Sequence, residues 1–238
     1  MKGLSFPMTW WWHILWLAAL AYVAGATPFG FLAGRLRGID IRQHGSGNIG
    51  ATNAVRVLGK KIGGVVFALD ALKGLLPVLL AAWWTQRCPA FDGHPIAASL
   101  AEVLAGLAAV AGHTATFWLG FKGGKGVATS AGVMLGLAPW ALLAALLAWL
   151  ISMAVCRYVS LSSIIAGWVL LAAVVAREWL RIFPGDKTPG AAAYEPNWPL
   201  LALSGLLCAL VTWRHRSNLR RIAAGTEPKA WAKKEAAA

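Results

Sequence analysis

Apolar residues in this chain run in long unbroken stretches, at 8–34, 62–84, 95–119, 127–155, 161–182 and 198–213. They do not form the stripes that mark an amphipathic helix on a soluble core. A helix needs about 20 residues to cross a hydrocarbon layer of ~30 Å. Strands crossing a membrane would alternate apolar and polar positions, and these stretches do not. The pattern therefore predicts an all-α, polytopic membrane helix bundle, with residues 1–238 forming a single domain and no internal repeat.

The polar connections sharpen the picture. Segment 35–61 carries Arg35, Arg37, Arg42, Arg56, Lys60 and Lys61, and the short loop 120–126 carries Lys122 and Lys125. Arg157 stands alone before Tyr158, and the tail carries Arg214, Arg216, Arg220, Arg221, Lys229, Lys233 and Lys234. Basic loops stay cytoplasmic, so all four should lie inside, with 85–94 and 183–197 outside. Placing both the Lys122 loop and Arg157 inside requires 127–155 to cross twice, broken near Gly132, Gly136 and Pro139. The expectation is seven transmembrane helices, N-terminus outside and C-terminus cytoplasmic. Five spans plus a re-entrant segment is the alternative. Lys2, the first apolar run and Ala24-Gly25-Ala26 imitate a cleavable leader, but the run continues to Ala33, so an uncleaved first helix is expected.

Composition agrees. Hydrophobic residues make up 58% and charged residues only 13%, about half the charged share of an ordinary soluble domain. The net charge of +13 would suggest nucleic acid in a soluble protein. With the charge confined to loops, it points instead to membrane lipid headgroups and anionic substrates, and no nucleic acid. Cys88, Cys156 and Cys208 have no metal or disulfide spacing. No metal and no cofactor are expected.

Four polar constellations carry candidate chemistry. In Gly45-Ser46-Gly47-Asn48-Ile49-Gly50-Ala51-Thr52-Asn53 with Arg56, glycines let the backbone close on an anion. Ser46, Asn48, Thr52 and Asn53 offer neutral donors, and Arg56 a planar charged fork. In Gly120-Phe121-Lys122-Gly123-Gly124-Lys125-Gly126, after Gly112-His113, two lysines among glycines open the next helix, as a phosphate cradle would. Taken alone, His113 reads as structural. Arg157-Tyr158-Val159-Ser160-Leu161-Ser162-Ser163 offers hydroxyls at a helix start, where a capping role is the competing reading. In Arg214-His215-Arg216-Ser217-Asn218-Leu219-Arg220-Arg221, His215 and Asn218 would share a helix face at i, i+3. Asp70 and Lys73, also at i, i+3 but within an apolar run, read as a scaffold pair.

With LDALKG at 69–74 and Gly225-Thr226-Glu227 added, these segments in their order resemble the acyl-phosphate-dependent glycerol-3-phosphate acyltransferases of bacterial inner membranes, the PlsY type. The resemblance covers nearly the whole chain. It implies acyl transfer from acyl phosphate to the sn-1 hydroxyl of glycerol 3-phosphate, giving lysophosphatidic acid and inorganic phosphate, the first acylation of phospholipid synthesis. It implies a multi-pass protein of the inner membrane with its active site facing the cytoplasm, working as a monomer without acyl-CoA or acyl carrier protein. By resemblance, Ser46, Arg56, Lys125, Ser163, His215 and Asn218 bind the substrates, and Asn48, Thr52 and the Gly123–Gly124 backbone complete the phosphate contacts. Lys125, Ser163, His215 and Asn218 form the expected catalytic set. A substrate phosphate is implied as proton acceptor, with His215 the candidate if a protein base serves. Thr116 stands where the family commonly has proline, which predicts altered local geometry with activity retained, and the 183–197 loop looks long for the family.

A membrane transporter of an organic phosphate is the competing class. It would place its donors near the bilayer midplane, whereas here they gather at one face. Acyltransferases with a His-x-x-x-x-Asp pair are excluded by reading. CDP-alcohol transferases need clustered aspartates, and Asp40, Asp70, Asp92 and Asp186 are far apart.

Overall fold

The computed structural model describes residues 9–182 and 196–230. The 183–195 part of the long loop, Lys2, Lys233 and Lys234 lie outside the described residues. Every regular element among the described residues is helical: α1 Thr9–Ala26, α2 Phe29–Arg35, α3 Ala51–Leu58, α4 Lys60–Thr85, α5 Pro95–Thr114, α6 Val127–Leu137, α7 Pro139–Cys156, α8 Val159–Ile182, α9 Trp198–Arg214 and α10 Arg216–Ala223. Five stretches are long and apolar enough to cross a membrane: Trp10–Arg35, Lys60–Thr85, Pro95–Leu119, Pro139–Cys156 and Val159–Leu180. Val127–Leu137 and Trp198–Arg214 are apolar but shorter. The protein is an integral membrane protein.

The apolar runs become helices with two adjustments. Run 8–34 divides at Thr27-Pro28, because proline has no N–H to continue the ladder of α1. Run 127–155 divides at Ala138, whose φ of −149° and ψ of 67° leave the helical region one residue before Pro139. The 11 residues of α6 rise only about 16 Å at 1.5 Å each, roughly half of a hydrocarbon core.

The described residues form two compact units, one from 9–137 with 197–203, the other from 138–182 and 196 with 204–230. In the first, α1 packs along α5, and α4 along α6 and α5. Small residues make these crossings close. A methyl group on Gly25 would strike the Ala109 backbone, and one on Gly74 would strike the Thr129 carbonyl. In lipid no water is expelled between apolar helices, so this close approach supplies the packing energy. Ile14, Leu17, Ala21, Ala101 and Ala105 fill the α1–α5 seam. A second cluster of Ile41, Ile49, Ala54 and Val66, joined by Leu119, sits under the polar loops. In the second unit, α7 packs along α8, and α10 meets α8.

Candidate active site

The Gly45–Asn53 segment is organised by Asn53. This side chain, 1% exposed, accepts the Ser46 N–H at 2.9 Å and donates to the carbonyls of Asn48 at 2.9 Å and His44 at 3.0 Å. Asn53 is therefore a strut inside the loop, not one of the outward donors the sequence suggested. Gly45 and Gly47 adopt φ of 62° and 69°, the left-handed turns that bring these groups onto Asn53. Asn48 accepts the Gly50 N–H through Oδ1 at 2.8 Å, a side-chain turn that opens α3. Thr52 and Arg56 follow at i, i+4 on the exposed face of α3. Asn53 and Ala54 take its buried face.

The Gly-Lys loop lies on the same apolar cluster, because Leu119 just before it packs against Ile41, Ile49, Ala54 and Val66. The structure thus brings the Ser46–Arg56 segment and the Lys125 loop onto one support. The cradle itself differs from expectation. The Gly123 N–H donates to Thr114 O at 3.1 Å and the Gly124 N–H to His113 O at 3.0 Å. An N–H carries one hydrogen, so these two tie the loop to the end of α5 instead of reaching a phosphate. What the loop offers an anion is the half-buried Lys125 and the start of α6, whose first turn has orphan N–H groups.

Below the loop, Lys73 Nζ stands 2.7 Å from Asp70 Oδ1 and donates to Thr27 O at 2.7 Å. His113 Nδ1 lies 3.6 Å from the same carboxylate oxygen, an electrostatic contact beyond hydrogen-bond length. The predicted pair is present, with His113 as a third member.

Thr116 is fully buried with φ −72° and ψ 125°, a backbone that proline would also adopt. A threonine in place of proline therefore requires no change of φ at this position. What replaces the ring is a hydroxyl donating to Ala26 O at 2.5 Å.

The second unit holds Ser163, His215 and Asn218. The serines of α8 fall inside its first turns, after Tyr158, so none is a cap. Ser163 donates to Val159 O at 2.8 Å and receives the Trp149 indole at 3.4 Å. His215 sits at the boundary between α9 and α10, not within one helix as expected, with φ −101° and ψ 5°. Its Nδ1 bonds Val211 O at 2.8 Å. A carbonyl oxygen only accepts, so Nδ1 carries a proton, and in the neutral imidazole Nε2 is then the acceptor nitrogen. Asn218 Nδ2 donates to Glu227 Oε1 at 2.6 Å.

Glu227 is the residue whose role the sequence did not reveal. It also accepts from Ser160 at 3.1 Å and from Arg221 Nε at 2.7 Å. One carboxylate therefore joins the start of α8 to α10. Burial pushes its carboxyl up, but the bonds from Asn218, Arg221 and Ser160 outweigh that and hold it below the usual carboxylate range. The segment beyond is pinned by the Ala230 N–H on Arg157 O at 2.8 Å. The recurrence of Glu227 nine positions after Asn218 is a signal only in the motif, since no periodicity relates them.

The glycerol-3-phosphate acyltransferase family model matches residues 15–225. The chain belongs to this family. It is 44% identical to the glycerol-3-phosphate acyltransferase of Trichlorobacter lovleyi, over 91% of this chain and 96% of that one. It is 46% identical to that of Myxococcus xanthus, over 89% and 96%. Among solved structures, PlsY, an integral membrane glycerol 3-phosphate acyltransferase, matches in its glycerol 3-phosphate form. The TM-score is 0.76 and the identity 36%, covering 91% of this chain and 95% of that one. Its lysophosphatidic acid form matches with a TM-score of 0.74. Family membership places the glycine loop, the buried triad and the Glu227 hub in an enzyme.

Proposed function

We propose that this protein transfers a fatty acyl group from acyl phosphate to the sn-1 hydroxyl of glycerol 3-phosphate, releasing lysophosphatidic acid and inorganic phosphate. The observation that carries the reading is the match, along almost the whole of both chains, to an acyltransferase whose two structures are a glycerol 3-phosphate form and a lysophosphatidic acid form. Both substrates of the proposed reaction bear phosphate. Ser46, Asn48, Thr52, Arg56, Lys125, Ser163, His215 and Asn218 are the proposed phosphate and substrate contacts. Gly123 and Gly124 shape the loop that carries Lys125.

In the reaction, the sn-1 oxygen attacks the acyl carbonyl carbon, the bond from that carbon to the phosphate oxygen breaks, and phosphate leaves. The hydroxyl proton passes to a substrate phosphate oxygen. His215 Nε2, the acceptor nitrogen once Nδ1 is bonded to Val211 O, is the protein group able to take it instead. The donor is already activated, so holding both phosphates in place and balancing their charge supplies most of the catalysis. Neither a cofactor, acyl-CoA nor an acyl carrier protein enters. The reading includes a monomeric enzyme, a single functional domain, the bacterial inner membrane and a cytoplasm-facing site. It also includes seven crossings, N-terminus outside, for which the break at Ala138 and the two shorter apolar helices speak.

Purified protein given glycerol 3-phosphate and palmitoyl phosphate should release phosphate in step with lysophosphatidate, and should do neither with palmitoyl-CoA. No turnover by folded protein with either donor defeats the assignment. Turnover with palmitoyl-CoA defeats the donor alone.

A further inference from the structure

Asp70, Lys73 and His113 are 2%, 6% and 3% exposed and are not among the proposed substrate contacts. Burying ionic groups is expensive, and a well-packed apolar trio of the same volume would usually stabilise a bundle as well or better. Their placement shows what the arrangement achieves. Lys73 anchors the carboxylate to Thr27 O, at the break between α1 and α2. The carboxylate in turn faces His113 Nδ1. The other edge of the imidazole, at Nε2, lies directly under Gly124, where an added methyl group would run into the ring. The backbone of the same histidine accepts the Gly124 N–H. The next residue is Lys125.

We infer that Asp70 and His113 are positioning residues for the proposed acyl transfer. The carboxylate orients the imidazole, and the imidazole edge sets the height of the Gly123–Gly126 loop and so the place of the Lys125 ammonium against a substrate phosphate. The inference rests on the acyltransferase reading. It has a specific consequence, because the two glycines are confined differently. A methyl on Gly124 meets the His113 side chain, whereas one on Gly123 meets backbone atoms of His113 and Thr114.

The test is a set of double-mutant cycles, with KM and kcat measured for each substrate in turn. His113→Ala should raise KM for one of the two phosphate substrates tenfold or more while kcat stays within threefold, and Asp70→Asn should shift the same KM in the same direction. Varying glycerol 3-phosphate and acyl phosphate separately identifies whose phosphate Lys125 holds. Gly124→Ala should be damaging in the native background and change kcat/KM less than twofold once His113 is Ala. Gly123→Ala should be equally damaging in both backgrounds. His113→Asn keeps a polar side chain toward Asp70 and drops the ring edge under Gly124. It must give the same relief, and it stands in if His113→Ala does not fold. Equal damage by Gly124→Ala with and without the ring overturns the inference. Amide exchange over residues 114–126 separates this outcome from failure of the acyltransferase reading. It should speed up in the Asp70 and His113 variants whether or not the wild type turns over, and unchanged exchange also overturns the inference.

Discussion

The two units hold their polar residues by opposite means. In the first, backbone geometry does the holding. Left-handed glycines, the Asn53 strut and two N–H bonds onto the end of α5 hold the loops, with the buried Asp70–His113 contact beneath the second of them. In the second, a single carboxylate gathers a serine, an asparagine and an arginine from two helices. The Asn53 and glycine N–H ties of the first are between neutral groups and do not themselves titrate. The second depends on one ionised group. The comparison predicts that removing a lysine from the first frame loosens it less than removing from the second the asparagine that holds the Glu227 carboxylate.

The largest expected effect tests that asymmetry. Lys125→Ala and Asn218→Ala should each lower acyl transfer by about 10²–10³ fold or more, the loss expected when a charge-stabilising group is removed. Only Asn218→Ala should also lower the unfolding temperature in detergent, because it releases Glu227. Full activity in either variant, or equal destabilisation by both, breaks the comparison.

Next in size is the strut. Asn53→Ala strips the buried loop of its bonds to Ser46 N, His44 O and Asn48 O. Leaving such groups unsatisfied costs about 1–3 kcal/mol. The unfolding temperature should fall and KM for a phosphate substrate should rise, although Asn53 faces the interior. An Asn53→Ala protein with unchanged KM would show that the loop keeps its shape without it.

These two cases also show what was legible in the sequence. Apolar runs gave the helices to within a few residues, because burial in lipid is a demand on composition alone. The glycine-rich segments marked the loops, since left-handed turns favour glycine. Direction was not legible. Asn53 and Ser46 are both small polar residues in one motif, and only packing turned one inward. Gly123 and Gly124 looked like donors to an anion until the end of α5 proved to be within reach of their N–H groups. Glu227 lay in the chain after α10, where no helical spacing ties it to Asn218 or Ser160.

The carboxylate hub predicts a pH dependence. Glu227 is held below its ordinary range in the folded state, so the folded protein binds its proton less readily than the unfolded chain. Its stabilisation is complete above the unfolded value, about 4.3 for a glutamate, and is lost as pH falls through the lower folded value. Glu227→Gln should therefore be less stable than wild type at neutral pH, by about 1.5–3 kcal/mol as for bonds to a charged group. The gap should close in acid. Thermal unfolding of both proteins between neutral and acid pH measures it, and a gap that stays constant would mean that the charge is irrelevant to the hub.

The smallest effect falls on Thr116, at the join of α5 to the loop. Its hydroxyl bond to Ala26 O is a neutral tie of the first unit's kind, worth about 1 kcal/mol. Thr116→Val keeps the volume and loses that bond, so it should destabilise by about that amount at every pH at which the protein folds. Thr116→Pro loses the same bond, yet φ at this position already suits the ring, and among the described residues the Thr116 N–H has no acceptor to lose. Restricting the unfolded chain returns about 0.4–1 kcal/mol. Proline should thus be better tolerated than valine, with acyl transfer unchanged in both. If valine proves the more stable of the two, the proline-like backbone is not what holds this corner, and the hydroxyl is an ornament of a turn that packing alone maintains.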